Sequence, residues 1–160
     1  MGTIFYTYAE MQRYKGYTIP IVSSITSLAC RERDRGRFVL GPVTLGVGAM
    51  AALFFYPDPA ASIAIFALAF GDGLSSLAGK LLGSIRIPFT KGKTIAGSTT
   101  CFILVFLISF QLTGEAGASL WVAATATFLE ALPSKDLDNI IIPVGTGFIA
   151  WQLFHPAGLL

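Results

Sequence analysis

From Ala60 to Phe70 the chain carries nothing more polar than a serine, and apart from two charges the apolar character continues to Leu82. A helix that crosses a bilayer needs about 20 apolar residues, within a range of roughly 17–25. Ala60–Leu82 meets that requirement, and no soluble surface element would. Yet the same stretch, LAFGDGLSSLAGKLLG, holds Asp72 between two glycines and Lys80 two helical turns later. A carboxylate in the middle of a bilayer costs at least about 2.5–3.5 kcal/mol on insertion scales. Such a residue persists where it pairs, binds an ion or lines a wet cavity.

The rest of the chain repeats the pattern. Of 160 residues, 54% are hydrophobic and 12% charged, where a soluble domain carries about 25% charge; mean hydropathy is +0.69. Phe38–Tyr56 and Thr94–Leu112 are further spans, and Gly117–Leu132 and Ile140–Phe154 are shorter ones. At the N-terminus, Ile4–Met11 and Tyr17–Cys30 are too short or too rich in Ser and Thr to span. They fit an interfacial or partial helix. The expected fold is all-α: a polytopic transmembrane bundle of about five spans plus that partial helix, in one domain covering 1–160. The opening MGTIFYTYAE looks like the tail of a hydrophobic helix rather than a signal peptide, lacking its positive n-region. Cys30 and Cys101 have no CxxC partner and read as small apolar residues. A net charge of +2 does not point to nucleic acid.

The basic residues fix an expected orientation. All 11 lie at Arg13–Lys15, Arg31–Arg37, Lys80–Lys93 or Lys135. Threading the chain through the spans puts every one of them on a single side, the cytoplasmic one by the positive-inside rule. The C-terminus then lies on the opposite side. The polar chemistry gathers on the cytoplasmic face too.

Three stretches carry that chemistry. In the first, Asp72, Ser76 and Lys80 share one helix face at i, i+4, i+8, and Ser75, Gly79 and Gly83 make a second row of small residues suited to close helix packing. Gly-Asp-Gly would also serve as a helix cap. The second is KGKTIAGS, Lys91–Ser98, a basic glycine-rich turn opening a helix, where backbone N–H groups and lysines favour phosphate. Lysines beside a packing site would explain it as well. It is not a Walker A loop, since position 87, where that loop needs glycine, is Ile87. The third is EALPSKDLDN, Glu130–Asn139. Glu130 closes a helix whose dipole disfavours it, while Asp138 and Asn139 open the next, where capping is a sufficient explanation.

No histidine accompanies these residues, so neither a Ser-His-Asp triad nor a His-based zinc site is available. Hard oxygen ligands suit Mg²⁺, which takes one or two carboxylates together with substrate phosphates. Lysines neutralise phosphate, and a carboxylate can accept a hydroxyl proton. These are the parts of a phosphoryl-transfer site at the membrane surface, with a lipid as acceptor.

In order and spacing, GDGLSSLAGKLLG, KGKTIAGS and EALPSKDLDNIIIP, with Glu10-x-x-Arg13 and RERDRGRFVLGP upstream, resemble the polyprenol kinase family of dolichol, phytol and CTP-dependent diacylglycerol kinases. The likeness runs from about Glu10 to Phe154. It implies a membrane kinase moving the γ-phosphate of CTP, or of another nucleoside triphosphate, to a lipid hydroxyl with Mg²⁺. It also implies Asp72 and Glu130 as catalytic residues, with Asp72 in metal binding or in hydroxyl activation. Lys80, Lys93, Thr94, Gly97, Ser98 and Asn139 would bind nucleotide. Asp72, Glu130 and Asp138 would hold the metal. Glu10 and Arg13 would form an ion pair. Ala96 departs from the acidic residue common in related sequences, which moves weight onto Glu130 and Asp138 and mildly favours an isoprenoid alcohol. The chain is also short for the family, with one or two N-terminal helices missing.

Three other readings compete. A phosphatidate cytidylyltransferase shares the use of CTP, but its signature carries a glutamate where this chain has Ala96. A small ion transporter needs polar residues through both leaflets, and Met50–Phe55 and Phe102–Phe110 are almost wholly apolar. A non-catalytic assembly subunit would bind nucleotide equally well without Asp72.

Overall fold

The structure is a computed structural model that describes residues 2–15, 39–90, 92–134 and 137–155. These are helical: α1 (Gly2–Tyr14), α2 (Gly41–Phe55), α3 (Ala60–Phe66), α4 (Gly73–Leu82), α5 (Ile95–Thr113), α6 (Ala116–Ala131) and α7 (Asp138–Phe154). A π-helical turn, Ala67–Asp72, joins α3 to α4 without a break, so Ala60–Leu82 is one rod. Among the described residues there is no β-strand, only a single antiparallel bridge between Arg86 and Thr94. All five expected apolar segments are helices. Two of them, Ala60–Leu82 and Ile95–Thr113, are long and apolar enough to cross a membrane, and Gly41–Phe55 is a shorter apolar helix. Tyr17–Cys30 and RERDRGRF lie outside the described residues.

The chain divides into two compact units, Met1–Val47 and Gly48–Leu160. In the first, Glu10 of α1 is fully buried, and its Oε1 accepts a hydrogen bond from the Val39 N–H at 2.9 Å. The Arg13 side chain, its expected ion-pair partner, lies outside the described residues.

In the second unit, the rod crosses a helical layer. Its α3 end packs on α7, its α4 end packs on α5, and its π-helical middle touches α5, α6 and α7. Helix α6 lies between α5 and α7. The core is built largely from small side chains, among them Ala60, Ala67, Cys101, Ala123, Ala126 and Ala150, with Ile63, Val105, Val122 and Ile142. Small residues let helix backbones approach closely, which is how helices associate where the surrounding phase is as apolar as they are. Gly48 shows it: a β-carbon there would collide with the Asn139 carbonyl, to which Pro143 has no N–H to donate. Outward-facing positions are large and apolar instead, including Phe54, Leu107, Leu120, Trp121 and Phe128. The hydroxyls of fully buried Ser109, Ser119 and Thr146 have no hydrogen-bond partner among the described residues. Small residues within and large apolar side chains outward are a distribution compatible with lipid.

Helix α5 ends with Gly114 in the left-handed conformation (φ 72°), its N–H bonded to the Phe110 carbonyl at 2.8 Å. This common helix stop turns the chain back into α6. The functional residues gather at the other end of this pair, where α5 begins and α6 finishes.

Candidate functional site

Glu130 sits in the last turn of α6 with only 2% of its side chain exposed. A carboxylate so enclosed needs donors on both oxygens, and three segments supply them. Lys93, just before α5, places Nζ 2.6 Å from Oε1. Ser75 of α4 donates to the same oxygen at 3.2 Å, and Ser98 of α5 donates to Oε2 at 3.4 Å. The contact density explains why the residue tolerates an unfavourable helix end.

Asp72 faces the same lysine from the rod. Its Oδ1 lies 3.6 Å from Lys93 Nζ, and its side chain is 21% exposed. It does not cap a helix: its backbone is helical, and winding continues through it from Ala60 to Leu82. The π-helical turn ends at Asp72; turns of this kind occur mostly as isolated bulges and frequently at functional sites. Lys93 thus bridges one enclosed carboxylate and one accessible carboxylate. Burial pulls its ammonium toward neutrality, but the hydrogen bond and charge of Glu130, then the charges of Asp72 and Asp138, outweigh it. They hold Lys93 above the ordinary lysine pKa.

Two local devices fix this geometry. Thr94 is the N-cap of α5: its backbone is extended, and its Oγ1 accepts from the Gly97 N–H at 3.1 Å. At Gly97, α4 and α5 nearly touch, and a β-carbon there would stand 2.8 Å from the Ser75 carbonyl oxygen. Only glycine lets Ser75 and Ser98 reach one carboxylate from two helices. Because its hydroxyl oxygen is engaged in the cap, Thr94→Val is expected to lower stability by about 1 kcal/mol. Thermal unfolding of parent and variant in detergent checks it.

Of the residues singled out in the sequence, Asp72, Lys93, Ser98 and Glu130 come together, with Thr94 and Gly97 shaping the turn beneath them. Asp138 opens α7, accepts from the Asn139 N–H at 3.1 Å, and acts on Lys93 through its charge. Lys80 stands exposed in the last turn of α4, and among the described residues neither Asp72 nor Glu130 is bonded to it. Lys91 lies outside the described residues. Ser75 is the residue the sequence reading placed elsewhere. It belongs to the packing row, yet its one hydroxyl hydrogen is shared between the Asp72 carbonyl at 2.9 Å and Glu130 Oε1 at 3.2 Å. Its one sequence signal was a hydroxyl in a row otherwise made of glycine.

By formal charge, one lysine faces three carboxylates here, a surplus that suits a cation. Among the described residues, no group of three or more His, Cys, Asp or Glu is placed to hold a metal by itself. Mg²⁺ needs fewer protein ligands when substrate phosphates supply the rest, so Asp72, accessible and paired only at 3.6 Å, fits that demand.

Comparison with known proteins gives the same direction. A probable chloroplastic phytol kinase of Triticum aestivum is 30% identical over 152 residues, covering 84% of this chain and 49% of that protein. An uncharacterized protein of Methanocaldococcus jannaschii is 32% identical over 138 residues, covering 84% and 69% respectively. The dolichol kinase of Mus musculus is 28% identical over 165 residues, covering 88% of this chain and 30% of its own length. The chain spans about half the length of the phytol kinases it matches. No family model and no solved structure matches.

Proposed function

Because this chain belongs to the polyprenol kinase family, we propose that it transfers the γ-phosphate of a nucleoside triphosphate, CTP in first place, to the hydroxyl of a membrane lipid. The acceptor is an isoprenoid alcohol or diacylglycerol. Relatives named phytol kinase and dolichol kinase support the isoprenoid alcohol. The observation that carries the reading is the bridge from Lys93, just before Ile95–Thr113, to Asp72 within Ala60–Leu82 and to Glu130; those two helices are long and apolar enough for a bilayer.

In the reaction the lipid oxygen attacks the γ-phosphorus, the bond to the bridging oxygen breaks, and the nucleoside diphosphate leaves. Phosphoryl transfer asks a protein mainly for positioning and for charges placed where negative charge accumulates. Lys93 supplies positive charge on a short stem outside the spans. Asp72, accessible beside it, takes up the hydroxyl proton or holds Mg²⁺, and Asp138 adds to the metal's surroundings. A Mg²⁺ held by Asp72, with Asp138 nearby, would supply charge neutralisation for the phosphates. Glu130 is too enclosed to reach substrate without losing Lys93, Ser75 and Ser98, so it acts as a positioning residue that aims the lysine. Ser98 supports the site from α5 through its bond to Glu130. The site faces the cytoplasm, where nucleotide is found, and about five helices cross the membrane.

The test is direct. Chain reconstituted in lipid is incubated with Mg²⁺, with CTP or ATP, and with phytol, geranylgeraniol, dolichol or diacylglycerol. Phosphorylated lipid and nucleoside diphosphate are expected. Pyrophosphate release from CTP with phosphatidate would indicate a cytidylyltransferase instead. No phosphorylated lipid from any pair would overturn the kinase reading.

A further inference from the structure

Between Leu82 and Ile95 the chain makes a small hairpin. It is closed by the Arg86–Thr94 bridge, by the Ile87 N–H to the Lys93 carbonyl at 2.9 Å, and by the Ile95 N–H to the Ile85 carbonyl at 3.1 Å. Its tip is the turn Ile87-Pro88-Phe89-Thr90, in which the Thr90 N–H returns to the Ile87 carbonyl at 3.4 Å. Phe89 stands at the third position of this turn with φ 63°. A proline followed by a positive φ is the signature of a type II turn, whose third position favours glycine or asparagine. The chain instead places a phenylalanine there, and its ring is completely exposed. Leu81 and Leu82 (both 73% exposed) and Ile85 (64%) continue the apolar surface along the base of the hairpin. Lys80 and Arg86 stand exposed among them.

A strained turn residue and an uncovered aromatic are both unfavourable in water. The ring becomes favourable where it enters an apolar phase, and that gain offsets the cost of the turn. That phase is at hand, because the hairpin joins the neighbouring ends of Ala60–Leu82 and Ile95–Thr113, the two helices suited to crossing a bilayer. An aromatic tip with flanking basic residues is the composition that settles at a bilayer surface, ring among the acyl chains and cations among anionic headgroups. We propose that the Gly83–Lys93 hairpin is a bilayer-anchoring element, with Phe89 inserted among the upper acyl chains and Lys80 and Arg86 facing anionic headgroups. The anchor ends at Lys93, so it also fixes that ammonium at the depth where a lipid hydroxyl arrives. The proposal rests on the two helices crossing the membrane and is otherwise independent of the reaction.

Fluorescence in reconstituted vesicles tests it. F89W is placed in phosphatidylcholine with phosphatidylglycerol, with or without phosphatidylcholine brominated near the top of its chains, and the parent emission of Trp121 and Trp151 is subtracted. The emission added by F89W is expected at blue-shifted wavelength and to be lost with the brominated lipid. The loss should weaken when phosphatidylglycerol is omitted. Water-like, unquenched emission overturns the proposal. So does blue-shifted emission that the bromines leave intact, the result expected if a protein partner or a second copy covers the tip. Quenching that ignores phosphatidylglycerol overturns the role of Lys80 and Arg86. L107W, on an exposed position midway along α5, is the control. If L107W is quenched and F89W is not, only the anchor fails; if neither is quenched, the membrane reading itself fails.

Discussion

Asp72→Asn is expected to remove nearly all lipid phosphorylation while leaving the fold intact. The substitution keeps size and hydrogen-bonding shape and deletes the charge. If Asp72 accepts the hydroxyl proton, the loss is roughly 10²–10⁴-fold in kcat, and loss of a metal ligand would reach at least as far. The stability change should be about 1 kcal/mol or less, since the contact with Lys93 is long and partly exposed. Product formation measured beside thermal unfolding separates the two effects. Full activity in the variant would remove Asp72 from the mechanism and return weight to an assembly role.

Glu130→Ala is expected to act in the opposite order, on the fold first. It takes from Lys93 the nearer of its two carboxylates, leaves Ser98 without this acceptor, and leaves Ser75 only the Asp72 carbonyl. Breaking a buried pair from one side costs about 3–5 kcal/mol, and the lower end applies because Lys93 is 23% exposed. Glu130→Gln keeps an acceptor oxygen and should recover part of that loss, while raising KM for nucleotide through a poorly aimed lysine. The pH dependence has a definite sign. Lys93 is held above the ordinary lysine value when folded. The pair's contribution is therefore complete below that ordinary value, and it is lost as pH climbs through the raised one. Unfolding followed from neutral to strongly alkaline pH should show a late decline in the parent that is smaller in Glu130→Ala.

Much of this was legible in residue order. Apolar runs gave the helices, and Ala60–Leu82 has the bounds its composition suggested. The misfit of a carboxylate at a helix C-terminus marked Glu130, and the threading of charges predicted that it would share a face with Asp72 and Lys93. The π-helical turn had no such mark, because Ala67–Asp72 has the composition of any apolar helix and its winding answers to three neighbouring helices at once. Periodicity grouped Asp72 with Ser76 and Lys80, whereas the hydroxyl that reaches Glu130 belongs to Ser75. Spacing along one helix shows which residues share a side, but not which side meets a partner 55 positions away. The Phe89 turn was hidden for a similar reason, since Pro-Phe favours no positive φ on its own.

The near-contact of α4 with α5 at Gly97 has a consequence for how the site works in time. Two backbones in touch have no slack, and a carboxylate held by three donors does not wander. The acidic wall of the site is therefore a fixed mould. Lys93 hangs from a hairpin on rotatable methylenes and pairs with two acids at unequal distances, 2.6 and 3.6 Å. When phosphate enters, the lysine can change hands by turning a few torsions, on the timescale of side-chain motion, while the helices stay where they are.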